Sequence, residues 1–251
     1  MGGFKITIET FEDVRKKMQA KPALAPTKID HRKETGKPII FNVILDISGS
    51  MDDYYKELIN GFNSVMIPSL KQASERARGP MRLGCLLFSE KLVPAWRGFK
   101  TLEELGTEPL SLNMFDQPGL KGRTALYGAM RSGIIWTASA MEHLRQNSRG
   151  SIPQGKIIIL TDGANNENPL DEASVSTAFN GIEKIDAKNL QPVIGFFNTS
   201  DGLTKEQFEI MVKKTGFTGL GFYDIARGKN MKEKQASFRH QFGIFSSQAC
   251  R

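Results

Sequence analysis

Three stretches of the chain are apolar almost without interruption and then break off at small polar residues: PIIFNVILDISGS at 38–50, MRLGCLLFS at 81–89 and KIIILTDGANNEN at 156–168. Runs of this length that do not alternate fit strands buried on both faces, as in a parallel sheet covered by helices. The segments between them carry a helical period. From Tyr54 onward Leu58, Phe62 and Val65 recur at three- and four-residue steps, and Pro68 is expected to kink or interrupt that helix near its last turns. Across 124–147 the apolar positions are Leu126, Met130, Ile134, Thr137, Met141 and Leu144, the pattern of a long and largely buried helix. A helix over about 171–189, a strand at 191–197 (QPVIGFF), a helix over 204–214, a strand at 221–225 (GFYDI) and a helix beyond Met231 complete the series. Residues 91–94 have the length to form a hairpin with the second apolar run, and 98–123 read as a long connection with one short helix at 101–105. Strands that alternate with helices in this way predict an α/β fold: a doubly wound, mostly parallel central sheet flanked by helices on both faces. The expected organisation is an N-terminal extension at 1–37 with a possible edge strand at 5–9 and a helix near 11–19, a domain at 38–226, and a C-terminal helical tail at 227–251 that packs on the domain or extends from it.

Ligands of open α/β sheets bind where loops leave the carboxyl ends of the strands. Three such loops here carry hard oxygen donors: Asp46, Ser48 and Ser50 after the first run, Thr124 in the Gly-Arg-Thr before the long helix, and Asp162 after the third run. Residues two apart in an extended segment point the same way, so Asp46, Ser48 and Ser50 can turn a carboxylate and two hydroxyls toward one point. Hydroxyl, carboxylate and water oxygens suit a small hard cation, Mg²⁺ first, with Mn²⁺ or Ca²⁺ as substitutes. No His or Cys falls in these loops, which disfavours zinc. The competing reading makes the same side chains helix caps and turn formers, and Asp and Ser serve in those roles routinely.

D-x-S-x-S after a buried strand, a lone Thr at the head of a buried helix and T-D-G after a later strand resemble the metal-ion-dependent adhesion site of von Willebrand factor type A domains. The resemblance covers about residues 38–226. It implies that Ser48, Ser50 and Thr124 ligate the metal through their hydroxyls. Asp46 and Asp162 would ligate it directly or through water, and an Asp or Glu carboxylate of a protein partner would complete the sphere. All five positions are intact, so the resemblance is to a metal-competent member. Arg123, Asn165, Asn166 and Glu167 would form the partner-binding rim, with simple solvation as the alternative for each. Asp52 and Asp53 are expected at the first turn of the following helix, where negative charge offsets the dipole. Intracellular members of the family, bacterial ones among them, act as adaptors for AAA+ ATPases or accompany kinases and phosphatases in stress and defence systems. That association is the family's and is not read from these residues.

Composition narrows the classes. No stretch reaches the roughly 18 unbroken apolar residues of a membrane span, and the first residues lack a signal-peptide core, so a cytoplasmic protein without membrane contact is expected. Cys85 lies inside an apolar run and Cys250 near the far end, an arrangement that argues against a structural disulfide. The net charge of +7 is concentrated at the ends: 1–37 carry nine Lys/Arg against five Asp/Glu, and 227–251 carry six against one. Basic ends allow a second function class, association with nucleic acid, with solvated tails as the plain alternative. A third class, a metal-assisted hydrolase, lacks a nominee for the general base, because the three histidines His31, His143 and His240 lie outside the strand-end loops and no phosphate-binding G-x-x-x-x-G-K-[ST] occurs. The expectation is a non-enzymatic, metal-dependent protein-binding adaptor with no catalytic residues.

Overall fold

The computed structural model describes residues 37–77, 79–116, 122–147, 152–163, 170–182, 184–199, 203–226 and 228–250. The expected edge strand and helix of the N-terminal extension lie outside the described residues, as do Asn165, Asn166 and Glu167.

Six strands form one sheet: β1 (Ile39–Asp46), β2 (Met81–Phe88), β3 (Leu92–Pro94), β4 (Gln154–Thr161), β5 (Leu190–Asn198) and β6 (Thr218–Asp224). Their order across the sheet is β3-β2-β1-β4-β5-β6, with every neighbouring pair parallel except the β2–β3 hairpin. The sheet is therefore the mostly parallel, doubly wound one that the alternation predicts. Its strand order reverses direction between β1 and β4, and at such a reversal the loops of two adjacent strands diverge to opposite faces and leave a crevice.

Because side chains alternate along a strand, β1 feeds two separate cores. Phe41, Val43 and Leu45 point to one face and Ile40 and Ile44 to the other. The first face is covered by α1 (Tyr55–Gly61), a π-helical turn (Phe62–Met66), α2 (Ile67–Ala77) and α8 (Met231–Ala249); a short α3 (Leu102–Thr107) flanks it. The second face is covered by α4 (Leu126–Asn147), α5 (Glu172–Gly181) and α7 (Lys205–Thr215), with α6 (Lys184–Asn189) beside them. Helix α4 is buried at all six positions named from its period, and its one polar member, Thr137, accepts a hydrogen bond from the Asn42 side chain of β1 at 3.0 Å. Helix α8 inserts Phe238, Phe242 and Phe245 against Phe197 of β5, with ring centres 5.0, 6.4 and 5.6 Å away.

Two helices differ from their expected form. The helix from Tyr54 does not run on with Val65 inward: Val65 is 37% exposed, and Met66 is buried in its place. Pro68 has no N–H to give and its ring crowds the carbonyl four residues back. The chain answers with the π turn at Phe62–Met66, which admits one extra residue and puts Leu58, Phe62, Met66 and Leu70 on one buried line. The helix expected over 171–189 ends instead at Gly181, with Ile182 extended and buried, and α6 follows as a separate short helix. Among the described residues no helix is long and apolar enough to cross a membrane. Cys85 and Cys250 are buried free thiols; burial pushes both up, Cys250 to about 12.

Candidate metal centre

The crevice between β1 and β4 is where the oxygen-bearing loops meet. Asp46 is the last residue of β1 and fully buried; Asp162 follows the last residue of β4 and is also buried. Beyond Asp46 the chain passes through Ser48 into a 3₁₀ turn (Gly49–Tyr54) that leads to α1. The Ser48 backbone N–H donates to Asp46 Oδ1 at 2.9 Å, Ser48 Oγ and Ser50 Oγ share a hydrogen bond at 3.3 Å, and Ser50 Oγ donates to Asp162 Oδ1 at 2.9 Å. Two carboxylates and two hydroxyls from loops 112 residues apart are thus linked in one hydrogen-bonded chain, joined to Asp46 through the Ser48 backbone N–H.

Thr124 joins from a third direction. The backbone of Gly122 accepts from Gly49 N–H at 3.3 Å, and Ala125 N–H donates to the carbonyl of Ser89 at 2.9 Å, so the loop is tied to the ends of both β1 and β2. Glu90 accepts the Arg123 backbone N–H at 3.2 Å and steadies the outer side of the same loop. Thr124 is buried with its side chain directly over Gly163: a β-carbon at that glycine would stand 2.7 Å from Thr124 Oγ1. Gly163 is what lets the third loop close onto the second. Arg123 is exposed beside Thr124, at the rim. Asp52 and Asp53 are exposed members of the 3₁₀ turn, with Asp52 in its first turn as the dipole argument expects.

The helix-cap alternative can be tested on Ser48. It occupies the cap position of the 3₁₀ turn in an extended conformation, yet its side chain caps nothing and turns to Ser50 instead. The elements that do use side-chain caps elsewhere show the contrast: Thr101, Asp171, Thr204 and Asn230 each accept a backbone N–H at the head of their helices.

Two further hydroxyls complete the centre, and the sequence alone does not single them out. Thr161 Oγ1 donates to Asp46 Oδ2 at 2.5 Å, and Thr199 Oγ1, just beyond the end of β5, donates to Asp162 Oδ2 at 2.5 Å. Both are buried. The available signal is the rule that located the other loops, a small polar residue where an apolar strand stops. Tyr55 adds a brace from α1, its phenol donating to the Ile47 carbonyl at 2.6 Å.

Burial disfavours negative charge on both carboxylates. Burial pushes the Asp46 carboxyl above the usual carboxylate range against the pull of hydrogen bonds from Ser48 and Thr161. Burial first and the Asp46 charge second push Asp162 up to about 7, against hydrogen bonds from Thr199 and Ser50. Among the described residues no Lys, Arg or His pairs with either carboxylate. Buried charges are ordinarily paired or coordinate a metal. Among the described residues no cluster of three or more His, Cys, Asp or Glu that could hold a metal occurs; the donors here are two carboxylates and hydroxyls, whose chemistry fits a hard divalent cation better than zinc. Ser50 is exposed at the mouth while Asp46 lies at the floor, so the centre opens toward solvent on the side where an outside ligand can enter.

No protein-family profile matches the chain, and no curated protein matches it. Solved structures do. The von Willebrand factor type A protein from Catenulispora acidiphila superposes with a TM-score of 0.51 at 13% identity over 82% of this chain and 42% of its own length. BatB from Bacteroides thetaiotaomicron gives 0.46 at 13% identity, over 81% of this chain and 97% of its own. The ArnB paralog VWA2 from Sulfolobus acidocaldarius gives 0.41 at 17% identity, over 73% and 41%. The chain spans less than half of the first of these structures. At this level of identity the likeness establishes the fold alone: a mixed, mostly parallel six-stranded sheet flanked by helices, of the von Willebrand factor type A kind.

Proposed function

We propose that this protein is a metal-dependent protein-binding adaptor whose strand-end centre holds one divalent cation, Mg²⁺ first, with Mn²⁺ or Ca²⁺ as substitutes. The observation that carries the reading is a pair of buried carboxylates, Asp46 and Asp162, joined through Ser48 and Ser50 and facing no basic side chain among the described residues. Ser48, Ser50 and Thr124 would hold the ion through hydroxyls, and Asp46 and Asp162 directly or through water. When bound, the cation supplies a positive, oxygen-seeking point at the crevice mouth, which suits an Asp or Glu carboxylate of a partner. Thr161 and Thr199 keep the two carboxylates turned inward, and Gly163 keeps the Thr124 hydroxyl over the centre. Arg123, at the rim, meets the partner's charge.

The partner is a protein, and an intracellular, cytoplasmic assembly with an AAA+ ATPase or a kinase or phosphatase is the setting we assign to it by resemblance. Binding, and not catalysis, is the role that suits these residues. His143 sits some 17 residues along α4 from its first turn, roughly 25 Å by helical rise, and His240 is exposed on α8. The decisive experiment is retention of partners from nuclease-treated native extract by the full chain and by Asp46→Ala, each in Mg²⁺ and in EDTA. A protein held only by the unaltered chain with Mg²⁺ is the expected result. Retention that ignores both changes overturns the adaptor reading, and retention that is seen in an untreated extract but not after nuclease, or that falls steeply with salt, moves the function to the basic ends and nucleic acid.

A further inference from the structure

The peptide group between Ile47 and Ser48 is held at both ends. Its N–H donates to Asp46 Oδ1 at 2.9 Å, and its carbonyl, that of Ile47, accepts the Tyr55 phenol at 2.6 Å. A peptide group is planar and trans, so these two polar ends point in opposite directions and a bond at each fixes the rotation of the plane between them. The phenol arrives by folding back across the 3₁₀ turn. Tyr55 opens α1, eight residues beyond Ile47, yet it is buried, its ring centre lies 5.1 Å from that of Phe115, and its oxygen comes within 3.5 Å of the Ser48 carbonyl as well. Its neighbour Tyr54 stacks instead on Phe238 of α8, with ring centres 5.3 Å apart. The strand side of residue 47 is also tied, its N–H donating to the Phe88 carbonyl at 2.8 Å. At the second Asp46 oxygen, Thr161 Oγ1 donates at 2.5 Å.

We infer that Tyr55 is the positioning residue of Asp46 and aims its carboxylate through the Ile47–Ser48 peptide group. The inference rests on the reading of the centre as a cation site, because the lone pairs left over on Asp46 are those offered to the ion. The relay runs in one direction, from phenol O–H to carbonyl oxygen and from amide N–H to carboxylate oxygen. A carbonyl that accepts a hydrogen bond polarises the amide in its own plane, so the phenol strengthens the bond that the Ser48 N–H gives to Asp46. With Thr161 on Oδ2 and this relay on Oδ1, the carboxylate is held from the end of β4 on one side and from α1 on the other. Without the phenol hydroxyl the carbonyl of the fully buried Ile47 loses this partner, and the peptide plane is free to turn and take the Ser48 N–H with it.

The test is Mg²⁺ titration calorimetry and amide NMR on three full chains: the unaltered protein, Tyr55→Phe, and a chain with 3-fluorotyrosine incorporated at position 55 alone. All three keep the ring against Phe115, and only the donor changes, absent in the first variant and more acidic in the second. In metal-free protein the Ser48 amide proton is expected to move upfield in Tyr55→Phe and downfield with 3-fluorotyrosine. Mg²⁺ affinity is expected to follow the same order, with a loss of about two- to tenfold in Tyr55→Phe, the range of one neutral hydrogen bond. Tyr223→Phe, which removes the bond of another buried tyrosine to Gln248 of α8, should change neither. A Ser48 resonance that ignores the series overturns the inference and gives the phenol proton to Asp52, the carboxylate beside it. An affinity that departs from the order, or that falls as far in Tyr223→Phe, overturns it as well. If the unaltered chain binds no Mg²⁺, the cation reading falls instead, and the Ser48 series alone decides whether the phenol sets Asp46.

Discussion

Each carboxylate oxygen of the centre already accepts one hydrogen bond, and these bonds fix where the remaining lone pairs point. Thr199 is the clearest case, because its hydroxyl is the partner of Asp162 Oδ2 and it comes from a strand that contributes nothing else to the site. Thr199→Val keeps the shape and removes the donor. A hydrogen bond to a charged group contributes about 1.5–3 kcal/mol, so Mg²⁺ affinity is expected to fall by about tenfold or more in calorimetric titration. Thr177→Val, which removes an exposed α5 hydroxyl bonded to the Ala173 carbonyl, should leave affinity unchanged. Gly163→Ala tests the approach of the loops. Its new β-carbon would press on Thr124 Oγ1 at 2.7 Å, and the hydroxyl must move off the centre. Loss of Mg²⁺ binding with an unchanged far-ultraviolet circular dichroism spectrum is the expected result; binding at the parent affinity would remove Thr124 from the ligand set.

At the scale of elements, close approach between helices and sheet is set by glycines whose absent side chains are filled by a neighbour. Gly61 of α1 lies under Phe242 of α8, and a β-carbon there would stand 2.6 Å from the ring, within the aromatic group that anchors α8. Gly61→Ala should therefore destabilise by about 1–3 kcal/mol in chemical denaturation through overpacking. Gly106→Ala in α3, where the new carbon meets nothing within 4 Å, should stabilise by up to about 1 kcal/mol through helix propensity. These elements were unequally legible in the sequence. The buried strands and α4 announce themselves, because a doubly covered strand is apolar along most of its length and α4 keeps one period for six turns. The π turn was hidden, since Leu58, Phe62 and Val65 match an ordinary helix and only the packing of Met66 shows the extra residue. The break at Ile182 was hidden for a related reason: a buried apolar residue reads alike in a helix and in an extended corner. Within the candidate site, Asp46, Ser48, Ser50, Thr124 and Asp162 stand in recognisable spacings, whereas Thr199 is a single hydroxyl whose partner is 37 residues away, and no local pattern encodes that pairing.

For the whole molecule, the strand order puts the centre between the two cores, so the loops that form it are roots of helices on opposite faces of the sheet. Two like charges buried at such a junction oppose folding unless they are neutralised. Asp162 has a folded-state value near 7, above its ordinary 3.8, and Asp46 is raised as well. A raised carboxylate binds its proton more tightly folded than unfolded. In metal-free protein its stability contribution is thus intact below about pH 4 and is lost as pH rises toward 7. A bound divalent cation reverses the balance, because it prefers the ionised pair and must compete with protons for it. The midpoint of thermal unfolding in EDTA should therefore fall between pH 5 and pH 8 relative to that in Mg²⁺. At pH 8, with Mg²⁺ at a hundred times its dissociation constant, linkage adds about 2.7 kcal/mol, or roughly 5–10 °C for a domain of this size. At pH 5 the shift should shrink to a small fraction of that, and Asp162→Asn should weaken its pH dependence to what Asp46 alone contributes, by leaving a neutral amide that neither titrates nor repels Asp46. A Mg²⁺ shift of equal size at both pH values would mean that the ion stabilises the fold from somewhere other than this pair.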